Sequence, residues 1–169
     1  MNSDVAVKQN DTELVFTQVL DAPRELVYQA FSDEKRVQHW WMPAPGWTTP
    51  VCTIDFKVGG EWRYCFRSPE GQESWAKSIY QKITPPKEVV FIDNLTDADG
   101  NFLENFPAKL TTITFTDLGD KTRIEIQVKL ATAEDTEQLV KMGFISGFTA
   151  TLNQLAQYVT NSSTSKERG

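Results

Sequence analysis

The stretch Thr122-Arg123-Ile124-Glu125-Ile126-Gln127-Val128-Lys129-Leu130 alternates apolar and polar side chains without a break. Successive side chains of a strand point to opposite faces, so this is a strand with Ile124, Ile126, Val128 and Leu130 on a dry face and Arg123, Glu125, Gln127 and Lys129 in water. A sheet that is dry on one side needs a covering layer. The chain supplies one directly downstream. From about Ala133 to Val159 the period lengthens to that of a helix, with Phe144, Phe148, Leu152, Leu155 and Val159 on one stripe widened by Met142, Ile145 and Ala156. This pattern predicts a long C-terminal helix packed on the sheet. Gly143 and Gly147 lie inside that predicted helix, each costing about 1 kcal/mol relative to alanine, and close approach to a strand or a ligand would account for them.

Upstream, the period of two recurs from Pro50 onward. Trp62, Tyr64 and Phe66 alternate with Arg63, Cys65 and Arg67, and Ile113 and Phe115 alternate with threonines. Turn signals at Gly59-Gly60, Pro69-Glu70-Gly71, Pro85-Pro86, Asp99-Gly100 and Gly119-Asp120 separate consecutive hairpins. Leu14 to Leu20 is a further β-rich run, stopped by Asp21-Ala22-Pro23, with the proline placed to open a helix. Leu26, Val27, Ala30 and Phe31 share one helical face. Ser32, Asp33 and Glu34 can cap a second short helix carrying Val37, Trp40 and Trp41, closed by Pro43 and Pro45. The expected fold class is α+β: a curved antiparallel sheet of about seven strands, two short helices after strand one, and a long C-terminal helix across the sheet. Residues 1–12 and 161–169 are polar and aperiodic, and read as flexible ends around one domain at 13–160.

A chain of 169 residues that is 40% hydrophobic and 24% charged has the composition of an ordinary globular domain. Its formal charge of −6 repels phosphate backbones, and no concentrated basic patch offsets it, so no nucleic-acid partner is expected. Cys52 and Cys65 form no CxxC pair and His39 is the single histidine, which leaves a zinc site without ligands. No metal and no cofactor are expected. Met1 to Asn10 is polar and no stretch approaches eighteen apolar residues, so neither a secretory signal nor membrane insertion is expected, and the compartment reads as the cytoplasm.

Several short motifs then occur in order: Asp21-Ala22-Pro23 leading into Val27-Tyr28-Gln29-Ala30-Phe31, Trp40-Trp41-Met42-Pro43, Val58-Gly59-Gly60, Ser68-Pro69-Glu70-Gly71, Ile83-Thr84-Pro85-Pro86 and Met142-Gly143-Phe144. Together they resemble the landmarks of the START-like (helix-grip, birch-pollen-allergen-like) superfamily, and within it the subgroup of activator of Hsp90 ATPase homologues. The resemblance implies a helix-grip fold with a large apolar cavity between sheet and final helix, where related proteins hold lipids, hormones, polyketides or other apolar molecules. Phe144 stands where many relatives carry tryptophan. The additional N-terminal domain of the co-chaperone that names the subgroup has no counterpart in this sequence, so a chaperone is the least supported of the expected partners.

Arranging the aromatic and apolar residues of the two layers around such a cavity makes Trp40, Trp62, Tyr64, Phe66, Trp75, Phe91, Ile113, Phe115, Met142, Phe144 and Phe148 the ligand-binding candidates. The alternative, that the same rings fill a solid core, stays open. Arg63 and Arg67 should point outward by alternation, and His39 has no evident partner to orient it, so no catalytic residue is assigned. Asp97-Ala98-Asp99-Gly100 reads as a turn because the flanking calcium-ligand positions hold Leu95 and Phe106. No nucleophile elbow, phosphate loop or zincin motif occurs. The expected function is binding of a small hydrophobic molecule. The alternatives are a cyclase, hydratase or hydrolase acting on such a molecule, and a stress-response or co-chaperone interaction. The loop around Phe102 and Phe106 offers a surface for a homodimer.

Overall fold

The computed structural model describes the backbone of residues 4–168 and the side chains of residues 4–162. In chain order the elements are β1 (Ala6–Gln9), β2 (Glu13–Leu20), α1 (Arg24–Ser32), α2 (Glu34–Val37), β3 (Thr48–Ile54), β4 (Glu61–Arg67), β5 (Glu73–Thr84), β6 (Glu88–Thr96), β7 (Lys109–Asp117), β8 (Thr122–Lys129), α3 (Ala133–Lys141) and α4 (Phe144–Arg168). The strands form one sheet in the order β1-β2-β8-β7-β6-β5-β4-β3. Every neighbouring pair is antiparallel. Strands β3 to β8 follow one another as hairpins, and α1 and α2 carry the chain from β2 across to the far edge. The architecture is the expected helix-grip α+β fold.

Strand β8 behaves as its alternation requires: Ile124, Ile126 and Val128 are buried while Arg123, Glu125 and Lys129 are exposed. Phe16 lies opposite Ile126 on β2, and Ile113 lies opposite it on β7, so the dry face is continuous across three strands. On α4, Leu152, Leu155 and Val159 are fully buried and join those residues in one apolar cluster. Each such side chain contributes about 1.5–3 kcal/mol by leaving water.

Four details differ from the sequence expectation, one being that α2 ends at Val37, so that Trp40 and Trp41, expected on that helix, lie beyond it. The sheet has eight strands, because Ala6–Gln9, expected to be aperiodic, pairs with β2 as an edge strand. All four of its residues are exposed, so it forms by backbone pairing and leaves no periodic trace in the sequence. The helix expected over 133–159 is two helices. Gly143 adopts φ +87°, a left-handed conformation that closes α3 behind the Met142 cap and restarts the chain as α4. Finally, α4 continues to Arg168, through most of the stretch expected to be a tail; residues 1–3 and 169 lie outside the described residues.

Candidate functional site

From Leu152 to Val159 of α4 the two layers interlock, but around its first turns they stand apart and enclose a cavity of about 320 Å³. That volume sits at the small end of the usual range for small-molecule sites, roughly 300–1,000 Å³. Phe144, Gly147, Phe148 and Thr151 of α4 form one wall, with Leu139, Met142 and Gly143 beside it at the helix junction. The inner face of the sheet forms the opposite wall, through Trp62, Tyr64 and Phe66 on β4, Phe91, Asp93 and Leu95 on β6, and Lys109, Thr111 and Ile113 on β7. The segment between α2 and β3 closes the side with Trp41, Pro43 and Trp47.

Two polar side chains of α4 hold that segment in place. The Thr151 hydroxyl donates to the Met42 carbonyl at 2.7 Å. The Gln154 amide donates to the same oxygen at 2.8 Å and to the Trp40 carbonyl at 3.3 Å. These bonds satisfy carbonyls in a stretch with no strand or helix of its own to pair them. They also set the Trp41 ring at 4.7 Å from Trp62, 5.5 Å from Tyr64 and 6.2 Å from Phe148. Trp41 is the point where the three walls meet.

Among the sequence candidates, Trp62, Tyr64, Phe66, Phe91, Ile113, Met142, Phe144 and Phe148 line the cavity, whereas Trp40, Trp75 and Phe115 do not. Trp40 is fully buried behind the cavity, donates its indole N–H to the Ala30 carbonyl at 2.9 Å and packs edge-on to Phe31 at 4.8 Å. Phe115 is buried between Tyr28, at 5.1 Å, and Phe31, at 5.4 Å, so α1 fills the space beside it. Trp75 lies opposite Cys65 and Thr96 in the ladder and so faces the other side of the sheet from Tyr64 and Ala76. Trp41, Asp93, Lys109 and Thr111 line the cavity without having been candidates.

The two charged residues among these fall on one line. Trp62, Ser78, Asp93 and Lys109 are successive cross-strand partners on β4, β5, β6 and β7, and therefore form a transverse row on the inner face. Lys109 Nζ lies 3.0 Å from Asp93 Oδ2, with 12% and 10% of the two side chains exposed. The Thr111 hydroxyl donates to Asp93 Oδ1 at 3.0 Å. The Lys109 ammonium also sits over the Phe144 ring, 5.4 Å from its centre, joining the sheet to α4. An ion pair this dry gains less from attraction than it loses in hydration unless further hydrogen bonds support it, and Thr111 supplies one.

Burial dominates the titration of the neighbouring acids. It pushes the Tyr64 hydroxyl well above the usual tyrosine range, with the Asp93 carboxylate acting in the same direction. Burial likewise pushes the Cys52 thiol up to about 11. Both cysteines are buried free thiols. His39 is exposed and stacks on Tyr158, 5.5 Å between ring centres, outside the cavity. Asp97 closes its own turn by accepting from the backbone N–H groups of Asp99 and Asn101. Phe102 is half-buried beneath the Lys77 ammonium, 4.9 Å from its ring centre, and Phe106 is half-buried too. Among the described residues no group of three or more His, Cys, Asp and Glu could hold a metal ion, and no helix is long and apolar enough to cross a membrane.

The family model described as Activator of Hsp90 ATPase homolog 1-like protein matches residues 21–160. The chain belongs to this family. No curated protein matches it significantly. A solution structure of a protein from Arthrobacter aurescens superposes with a TM-score of 0.88 at 22% identity, covering 94% of this chain and 93% of that one. A crystal structure of a protein from Mycobacterium smegmatis gives 0.82 at 25% identity, with 93% and 96% covered. Another from Chromobacterium violaceum gives 0.70 at 25% identity, with 89% and 98% covered. These likenesses extend over nearly the whole of each chain, and folds of this kind commonly bind hydrophobic ligands.

Proposed function

We propose that this family member binds a small hydrophobic molecule of lipid, polyketide-like or aromatic kind in the cavity between sheet and α4, and does so in the cytoplasm. The observation that carries this reading is a cavity of about 320 Å³ whose walls carry nine aromatic rings beside aliphatic side chains and few polar ones. A solid core would leave no such space between the sheet and α4. Affinity would come from the apolar area removed from water on entry, at about 25 cal/mol per Å², and orientation from the few polar groups on the sheet. The test is native mass spectrometry of the gently purified protein together with a thermal-shift screen of apolar compounds. A co-purifying mass, or a compound that raises Tm in a concentration-dependent way, is the expected result. A screen of lipids and aromatics that moves Tm nowhere counts against it.

A second reading is favoured by one observation. Asp93 and Lys109 are a titratable pair facing the cavity, which is the arrangement acid and base catalysis on a bound molecule would use. On this reading the ligand recovered by mass spectrometry is altered on incubation, and Asp93→Asn retains binding while losing the conversion. The family name makes a chaperone the protein partner to test, by its ATPase rate with and without this chain.

A further inference from the structure

The inner face of the sheet carries its charges at one place, and the hydrogen-bonding capacity left over there specifies a chemical group. Lys109 has three N–H donors: one reaches Asp93 Oδ2, and the ammonium faces the Phe144 ring. Asp93 accepts from Lys109 on one oxygen and from Thr111 on the other, which leaves each oxygen a free lone pair. The exposed remainder of the pair therefore offers a donor beside an acceptor, both charge-assisted.

The pair is neutral as a unit. An entering carboxylate would leave a net negative charge in an apolar cavity, and an entering amine a net positive one, each at a large desolvation cost. A wholly apolar guest would leave the ammonium and carboxylate short of partners after their water had been displaced. A hydroxyl has neither fault, since one O–H donates to Asp93 while its oxygen accepts from Lys109. The walls around the pair are flat rings, with Trp41, Trp62, Phe66, Phe144 and Phe148 all on the cavity.

We infer that the cavity selects a neutral, ring-containing molecule bearing a hydroxyl, a phenol or a cyclic alcohol, with that hydroxyl seated between Asp93 and Lys109. This deepens the binding reading above and rests on it. Three probes of matched shape separate the two: 2-naphthol, 2-methylnaphthalene and 2-naphthoate, titrated calorimetrically into the intact protein at neutral pH. The naphthol should bind roughly 10- to 100-fold more tightly than the methyl compound, the range expected of a hydrogen bond to charged groups, and the naphthoate should bind no more tightly than the methyl compound. In the double variant Asp93→Leu with Lys109→Met, an apolar replacement of the kind that buried ion pairs commonly tolerate, the preference for naphthol should vanish while the methyl compound still binds. Equal affinity for naphthol and methylnaphthalene, or tighter binding of naphthoate, overturns the hydroxyl assignment and leaves the cavity reading standing. Failure of all three to bind overturns both.

Discussion

Helix α4 is one continuous helix with two different surroundings. From Leu152 to Val159 its inner stripe is fully buried in a solid core, whereas Phe144 and Phe148 one to three turns earlier are only partly buried and border a void. The stripe is equally apolar in both halves. The difference lies in what stands opposite: α1 places Val27 and Ala30 in the core, while the α3–α4 junction and the segment after α2 frame space without filling it. Apolarity thus specifies that a residue leaves water, and the neighbouring element decides whether it meets another side chain or a hollow. The adjacent tryptophans repeat the lesson, since Trp40 is an enclosed core residue with a satisfied N–H and Trp41 faces the cavity.

That comparison can be broken most directly at the two tryptophans. Trp40→Ala should cost about 3–5 kcal/mol, read from urea denaturation, because it removes a large ring from a place with no room to relax. Trp41→Ala should cost about 1–2 kcal/mol, since one side of the ring already faces space, and should weaken binding of any cavity ligand more than Trp40 substitutions that still fold. Equal losses of stability at both positions would mean the hollow region is as tightly packed as the core.

The two glycines at the junction sharpen the contrast with opposite signs. Gly143→Ala should destabilise by about 1–2 kcal/mol, because its φ of +87° strains any side chain even though the space around it is open. Gly147→Ala should stabilise by up to about 1 kcal/mol, since it lies in α4 and an added methyl meets nothing within 4 Å. That methyl would project toward the cavity, so the stabilised variant should also lose affinity for a large guest. Melting curves of the two variants check the signs.

The smallest effect near neutral pH concerns the buried acids. Tyr28 is pushed up to about 12 and Cys52 to about 11 by burial, and Tyr64 and Tyr80 are raised as well. Each group holds its proton more tightly folded than unfolded, so the stability it confers is complete below its unfolded pKa, about 8.5 for cysteine and 10 for tyrosine. Stability should therefore be flat from pH 7 to 8 and fall as pH rises through roughly 9 to 12, the unfolded chain releasing protons that the folded chain retains. Urea titrations at stepped pH check the direction. A thiol reagent at pH 8 should label Cys52 and Cys65 far faster in denaturant than in the native protein.

Much of the candidate site was readable from strand phase. Trp62, Tyr64 and Phe66 fall on one face by alternation, and the stripe of α4 carries Phe144 and Phe148. Trp75 was misplaced although it shares a phase with Lys77 and Ile79 and opposes that of Ala76 and Ser78. Asp93 was missed although the same rule marks it, for it shares the inner phase of β6 with Phe91 and Leu95. Its partner Lys109 was not readable in that way. Sixteen positions separate the two, and only the register of β6 against β7 makes them neighbours.

By itself, the sequence of this protein determined the layers: local periodicity follows from which side chains avoid water, and it is written residue by residue along the chain. It also determined the order of the elements from β2 onward and the turns between the strands, though not the edge strand β1 or the break at Gly143. Tertiary structure alone decided that the layers part around the first turns of α4, that Trp40 and Trp41 have different fates, and that a neutral ion pair sits in the hollow. Those facts depend on distances between residues far apart in the chain, which no local pattern encodes, and on the space that packed elements leave unfilled.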